Sequence, residues 1–226
     1  MINKIVPTMA DAVAGVKDGM TILLGGFGSV GQPNHLVQGV IDLGVKNLVV
    51  VANNAGGGHV GLALLMELGR VRKIICSFPR SSNSTIFEEL YRAGKIELEI
   101  VPQGTMAERI RAAGAGVGAF FTPTGVGTKM AEGKEVREIN GRMMVLEHAL
   151  HAEIALVEAW QADRWGNLMY RRSGRNFNPV MATAANLTIV QSQHIVELGE
   201  LEPENIMTPG VYVDRVVHVP YGDPPF

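Results

Sequence analysis

The chain has 226 residues, 46% hydrophobic and 19% charged, with a formal net charge of −2. That is enough for one α/β domain with a sizeable core, and it leaves no whole-molecule field for nucleic acid or an anionic membrane, so any anion site must be local. Cys76 is the only cysteine, which excludes an internal disulfide and a cysteine-ligated metal site. No apolar run reaches the ~18 residues of a membrane span. Met1-Ile2-Asn3-Lys4 leads into a polar segment rather than an apolar signal core, so a soluble, cytoplasmic protein is expected.

In chain order, the first predicted element is a helix over Thr8–Val16, with Ala10, Val13 and Ala14 on one face and Thr8 as its cap. Thr21–Leu24 reads as a short buried strand. Glycines then crowd the stretch Gly25-Gly26-Phe27-Gly28-Ser29-Val30-Gly31, and Pro33-Asn34 open a helix that carries Leu36, Val37, Val40 and Ile41 on one face. Asn47–Ala52 is a wholly apolar strand of the kind a parallel sheet buries on both sides. Gly56-Gly57-Gly58 precede a helix at Gly61–Leu68. A strand at Lys73–Cys76, a helix at Ser84–Ala93, a strand at Ile96–Val101 and a helix at Met106–Ala113 continue the alternation. Ala119–Thr122 reads as one more strand of the same series.

This alternation predicts a mostly parallel sheet with helices on both faces. Ligands of such sheets sit beyond the carboxyl ends of the strands. The loops that follow the strands, Gly25–Gly31, Asn53–Gly58, Ser77–Ser84, Gln103–Thr105 and Thr122–Thr128, are therefore expected on one rim. The C-terminal part is less regular. Glu135–Ile139 and Met143–Glu147 flank Asn140-Gly141 as a β-hairpin. Strands follow at Ile154–Glu158, Leu168–Tyr170, Leu187–Val190, Ile195–Leu198 and Asp214–Val219, with a helix at Pro179–Ala185. Tyr221–Phe226 reads as an exposed terminus. No linker or repeat interrupts the chain, so residues 1–226 are expected to form one domain.

The glycine stretch admits several readings. Gly26-Phe27-Gly28-Ser29-Val30-Gly31 spells the dinucleotide pattern GxGxxG, but the second strand ends in Asn53-Asn54, where an acid would be needed to hold a ribose. No Gly-Lys-Ser/Thr follows, so it is not a nucleotide P-loop. A third possibility is a turn that only lets helix and strand pack. Elsewhere, the Gln103 amide either meets a substrate oxygen or caps the next helix. Arg171, Arg172 and Arg175 either meet phosphates or a carboxylate, or form a solvated loop or subunit contact. His148 and His151 with Glu147 and Glu153 resemble a metal set only superficially, because strand positions three apart face opposite sides. Cys76 reads as core, and Ser81, Ser82 and Ser84 as a turn and helix cap.

The whole stretch Asp18–Pro33 resembles the signature that family I coenzyme A transferases carry on their α subunit. Pro102–Arg111 is similar to the PQGT-LAERIR segment of that family, and Phe121–Thr128 to its FTPTG-GT segment, with Val126 where a Tyr is common. Gly166-Asn167-Leu168 matches its GNL turn, and Arg175-Asn176-Phe177-Asn178-Pro179 its ARNFNP segment, with Gly174 before the Arg in place of Ala. The resemblance covers nearly the whole chain. Cys76–Arg80, Leu90–Glu99 and Asp163–Asn167 are most similar to the branch that serves 3-oxoadipate in the β-ketoadipate route of aromatic degradation. The branch that serves acetoacetate is the alternative. A dehydrogenase is disfavoured by the missing acid, and a sugar-phosphate isomerase by the lack of an acid–base pair.

The resemblance implies that Gly25, Gly26, Phe27, Gly28, Ser29, Val30 and Gly31 lie against coenzyme A, which is substrate rather than resident cofactor; Gln103, at a strand end on the expected rim, is the candidate substrate-binding residue. It implies ping-pong chemistry, in which a glutamate attacks the succinyl-CoA thioester and becomes a glutamyl-CoA thioester. The family keeps that glutamate in a Ser-Glu-Asn-Gly motif on its β subunit. No Glu-Asn-Gly occurs here. No catalytic nucleophile and no metal is therefore expected in this chain. A partner β subunit is expected, in an α₂β₂ heterotetramer.

Overall fold

The structure, a computed structural model, describes residues 2–80 and 83–222. Strand β1 (Ile5–Val6) and helix α1 (Met9–Val13) lead into the alternating series β2 (Thr21–Leu24), α2 (Asn34–Asp42), β3 (Leu48–Asn54), α3 (Gly61–Glu67), β4 (Val71–Phe78), α4 (Ile86–Arg92) and β5 (Glu97–Ile100). Helix α5 (Gln103–Gly114) follows, then β6 (Ala119–Thr122) and the pair β7 (Val136–Ile139) and β8 (Arg142–His148). The remainder is β9 (Ala152–Ala162), β10 (Leu168–Met169), α6 (Asn178–Ala182), β11 (Ala185–Ile195) and β12 (Arg215–His218).

The large sheet has nine strands in the order β1-β12-β11-β9-β2-β3-β4-β5, with β10 added antiparallel to β9. All its other pairings are parallel. Strand β3 shows why both faces need helices. Its Leu48, Val50 and Ala52 point into one core with Leu36 and Val40 of α2, Leu62 and Met66 of α3 and Phe87 of α4. Its Val49 and Val51 point into a second core with Met106 and Ile110 of α5 and Met181 of α6. Each strand thus buries alternate residues in opposite directions, which only a two-sided helical cover satisfies. The strand order reverses at β2: β3, β4 and β5 lie to one side, and β9, β11, β12 and β1 to the other. This is the switch point at which open α/β sheets carry crevices.

Two readings of the sequence need correction here. Ala119–Thr122 is not part of the parallel series. As β6 it pairs antiparallel with β8, Ala119 opposite His148 and Thr122 opposite Val145, in a separate sheet of order β6-β8-β7. Its residues are only half-buried, unlike those of β3, because this small sheet has no helical layer on each side. The second correction concerns Leu187–Val190 and Ile195–Leu198, which are not two strands. A single strand β11 runs straight through Gln191-Ser192-Gln193, with Gln191 and Ser192 in register with both β9 and β12 and His194 and Ile195 in register with β9.

The smaller sheet is tied on by alternating charges. Lys73 Nζ donates to Glu99 Oε2 at 2.6 Å, and Arg109 Nη1 to Glu99 Oε1 at 3.1 Å. Arg109 Nε lies 3.8 Å from Glu147 Oε2, and Lys134 Nζ donates to Glu147 Oε1 at 2.6 Å. Burial pushes the Glu99 carboxyl up, but the bonds from Lys73 and Arg109 outweigh that and hold it below the usual carboxylate range. Glu147 is thus a buried ion-pair partner rather than a companion of the histidines; among the described residues no cluster of metal-binding side chains exists. Among the described residues no helix is long and apolar enough to cross a membrane.

Candidate active site at the rim of the sheet

Beyond Leu24 the chain can no longer pair on both sides, and it makes a tight turn. Phe27 N–H donates to Val30 O, and Val30 N–H to Phe27 O, both at 3.0 Å. Gly28 and Ser29 form the tip. Gly28 has φ +60°, the geometry a two-residue turn demands at its first central position. Phe27 and Val30 flank the tip with 48% and 44% of their surface exposed.

A buried asparagine holds the base of this turn. Asn178 Oδ1 accepts from Glu158 N–H at 3.0 Å, while its Nδ2 donates to Gly31 O at 3.0 Å and Gly174 O at 2.9 Å. Asn176 helps: its Oδ1 accepts from Gly26 N–H at 3.2 Å and its Nδ2 donates to Val30 O at 3.1 Å. A Cβ at Gly25 would lie 1.9 Å from Asn178 Oδ1, so the first glycine is required by packing rather than by a ligand. Gly28 is the opposite case, with nothing within 4 Å of where a Cβ would stand.

The turn separates two hollows. On the side of β3, β4 and β5 lies a cavity of about 520 Å³ lined by Phe27, Gly28, Asn53, Asn54, Ser77, Phe78, Arg80 and Gln103. It continues past the turn tip into a hollow of about 440 Å³ beside Ser29, Asn54, Gly56, Gly57 and Val60. Gln103 and the turn tip therefore do come together. Gln103 does not cap its own helix, whose N-terminal cap is Pro102; its Nε2 donates to Asn53 Oδ1 at 2.7 Å. The single Ser77 hydroxyl proton lies between the same Oδ1, at 2.8 Å from Oγ, and Asn53 O, at 3.0 Å. Asn53 is 6% exposed, and its own amide hydrogens have no acceptor among the described residues. The polar floor of the cavity thus retains unused donors, which is what a carboxylate or thioester oxygen requires.

On the side of β9 and β11 lies a narrower crevice, two joined hollows of about 160 and 170 Å³ that share Gly31, Glu158 and Gln193. The Glu158 carboxylate accepts from Gln191 Nε2 at 2.9 Å and from Gln193 Nε2 at 3.0 Å. Gln191 Oε1 in turn accepts from the N–H groups of His35 and Leu36 at 3.1 and 3.2 Å, capping α2. Burial lifts the Glu158 carboxyl to about 7 despite the two amide donors. Arg171 lies in this crevice, its guanidinium 4.5 Å from the Trp160 ring centre.

The seven loop residues expected to touch coenzyme A are therefore divided. Phe27 and Gly28 face the rim hollows, Ser29 at the tip borders both sides, Val30 and Gly31 face the crevice, and Gly25 and Gly26 are held from behind. The turn after β2, the ends of β3 and β4 and Gln103 converge on the rim, but Gln103–Thr105 is the first turn of α5 rather than a loop, and only Gln103 of it lines the cavity. Thr122–Thr128 does not line either hollow, because it follows β6 in the other sheet. Ser81 and Ser82 lie outside the described residues; the cap position of α4 is Thr85, and the Ser84 hydroxyl is buried without a partner among the described residues. Cys76 is core, its thiol pushed up to about 12 by burial. Asn53, Asn178 and Glu158 do not stand out in the sequence as site residues. The available signal is polar residue types inside otherwise apolar strands and beside a proline-opened helix.

Residues 6–219 match the coenzyme A transferase family. The chain belongs to that family. It is 60% identical over 219 residues to the α subunit of 3-oxoadipate CoA-transferase from Pseudomonas putida, covering 97% of this chain and 95% of that protein. It is 46% identical over 216 residues to the α subunit of a probable succinyl-CoA:3-ketoacid coenzyme A transferase from Bacillus subtilis, covering 96% of this chain and 90% of that one. Among solved structures, glutaconate coenzyme A-transferase of Acidaminococcus fermentans superposes with a TM-score of 0.85 at 24% identity, over 97% of this chain and 76% of the other, which establishes the shared fold. For a coenzyme A transferase the wide rim cavity, rather than the narrower crevice, has the room and the unspent donors for an acyl thioester.

Proposed function

We propose that this chain is the α subunit of a 3-oxoadipate CoA-transferase, moving coenzyme A from succinyl-CoA to 3-oxoadipate. The observation that carries the reading is the 60% identity over 97% of the chain, higher than the 46% to the relative named for 3-ketoacids. The rim cavity supports it, because its Asn53–Gln103–Ser77 floor suits the oxygens of an acyl group. Phe27, Gly28 and Ser29 approach the thioester, and Gly25, Gly26, Val30 and Gly31 shape the turn that presents them.

The nucleophile is a glutamate of the β subunit. Its carboxylate attacks the succinyl carbonyl and frees the coenzyme A thiolate; for the atoms to balance, that thiolate attacks the glutamyl carbonyl and expels succinate. The acceptor carboxylate reverses the sequence on the glutamyl-CoA thioester. Such attack needs the carboxylate within about 3.5 Å of the carbonyl carbon, which places the β subunit over the rim. The assembly is α₂β₂ and works in the cytoplasm, in aromatic catabolism. Mixing the two purified subunits and assaying transfer from succinyl-CoA tests the reading. Activity should appear only on mixing, should vanish when the glutamate of the β subunit is changed to alanine, and should favour 3-oxoadipate over acetoacetate. Turnover by this chain alone, or a preference for acetoacetate, would overturn it.

A further inference from the structure

We infer that Arg80 selects a dicarboxylic acceptor, its guanidinium holding the carboxylate remote from the one that reacts. The inference rests on the reading of the rim cavity as the acyl site. A 3-oxo dicarboxylic acid spends one carboxylate on the new thioester. The other stays ionised throughout, and once a partner closes the rim it loses its water. An ionised carboxylate without a counter-charge is costly to bury, so the site must supply a cation.

Arg80 is the one charged side chain among the described residues that line the cavity of about 520 Å³. It lies two residues beyond the end of β4, on the same cavity as Phe78, the last residue of that strand. Its ion pairing is incomplete. Arg80 Nε lies 3.4 Å from Glu88 Oε1, but Glu88 also meets Arg92 Nη2 at 3.3 Å, so one carboxylate serves two guanidinium groups. Among the described residues no acceptor meets the terminal nitrogens of Arg80, whose side chain is 73% exposed. A free guanidinium fork is the geometry that binds a carboxylate through two parallel hydrogen bonds. Phe27 and Phe78, 48% and 60% exposed, offer apolar walls for the methylenes that separate the two ends of the acceptor.

The arginines that the sequence offered for this task stand elsewhere. Arg171 lies across the glycine turn, stacked on Trp160 in the narrow crevice. Arg172 and Arg175 line neither hollow of the rim.

The test uses the enzyme assembled with its β subunit, in the wild type and in Arg80→Met and Arg80→Lys. In a ping-pong reaction kcat/KM for the acceptor reports the second half-reaction alone, so the donor does not enter the comparison. The ratio of kcat/KM for 3-oxoadipate to that for acetoacetate should fall about tenfold to a hundredfold in Arg80→Met, mainly through KM for 3-oxoadipate. Arg80→Lys should restore part of the ratio, because it keeps the charge and loses the fork. Adipate should inhibit the wild type competitively and should lose that advantage over hexanoate in Arg80→Met. An unchanged ratio in Arg80→Met, in an enzyme whose wild type prefers 3-oxoadipate, would overturn the role of Arg80 alone. A wild type that prefers acetoacetate would instead overturn the functional reading and the inference with it. A thermal midpoint in Arg80→Met equal to that of the wild type separates loss of selection from loss of fold.

Discussion

Behind the glycine turn, Asn178 is fully buried and spends its side chain on Glu158 N–H, Gly31 O and Gly174 O, and Glu158 is answered by two glutamine amides. In front of the turn, Asn53 keeps its amide hydrogens, Arg80 keeps its terminal nitrogens, and Phe27 and Phe78 stand open to solvent. The two hollows share a wall of a few residues yet are finished to different degrees. A polar group that is fully paired within the chain rigidifies what it touches. A polar group left unpaired at a rim has its partner supplied from outside. The crevice side thus holds the base of the turn through Asn178, although Gln193 Oε1 there is buried without a partner among the described residues, and the rim cavity is the wider of the two hollows.

The largest expected effect breaks the base of the turn. Gly25→Ala puts a methyl group 1.9 Å from Asn178 Oδ1, and should cost about 3 kcal/mol in urea unfolding, with activity lost in step. A stable Gly25→Ala enzyme would mean that Asn178 does not fix the turn. Next comes the tip. Gly28→Val has open space around it, so the φ of +60° is its main cost to folding, about 1–2 kcal/mol. In the assembled enzyme it should lower kcat/KM for succinyl-CoA roughly a hundredfold. Unchanged affinity for succinyl-CoA would remove the turn tip from the site.

Glu158 sharpens the comparison through pH. Its folded value of about 7 lies above the ordinary 4.5, so between these values the folded chain keeps a proton that the unfolded chain releases. Stability is full below the lower value and drains as pH rises through the upper one. Glu158→Gln removes that titration, so its stability relative to wild type should climb by about 2 kcal/mol between about pH 5 and 8, read from urea midpoints. A constant difference across that range would show the carboxylate to be solvated rather than buried. The smallest effect is expected for Gln103→Ala. It should reduce kcat/KM about tenfold with little change in thermal midpoint, because Ser77 still holds Asn53.

The local parts of this arrangement were legible in the sequence. The strand Thr21–Leu24, the glycine turn, the helix opened at Asn34 and the hairpin at Asn140-Gly141 are set by residue type at short range. The Thr8 cap is present too, its Oγ1 accepting from Asp11 N–H at 3.1 Å, although the helix it starts ends at Val13. What could not be read was long-range. Ala119–Thr122 has strand composition, and nothing in it states that its partner is a hairpin strand rather than β5. Gln191, Ser192 and Gln193 interrupt an apolar pattern, yet they continue β11 because two of their side chains face the crevice and bond Glu158. The RNFNP segment was legible as a motif without its task, since Asn178 reaches back to a glycine far upstream. Arg80 stood within a legible segment, but which arginine faces which hollow depends on where the glycine turn stands in the sheet.

The seam between β2 and β9 also orders events in time. Strand β2 is made early, and its second neighbour β9 leaves the ribosome only after the whole small sheet has been synthesised; β1, at the start of the chain, waits for β12 near its end. A nascent chain therefore carries an apolar β2 with one unsatisfied edge through most of its synthesis. Contacts of such high sequence separation also slow the final closure of the sheet. Fragments that stop before Ala152 would keep that edge open for good, so the glycine turn, seated on the same seam, cannot take its shape until the chain has been made as far as Asn178.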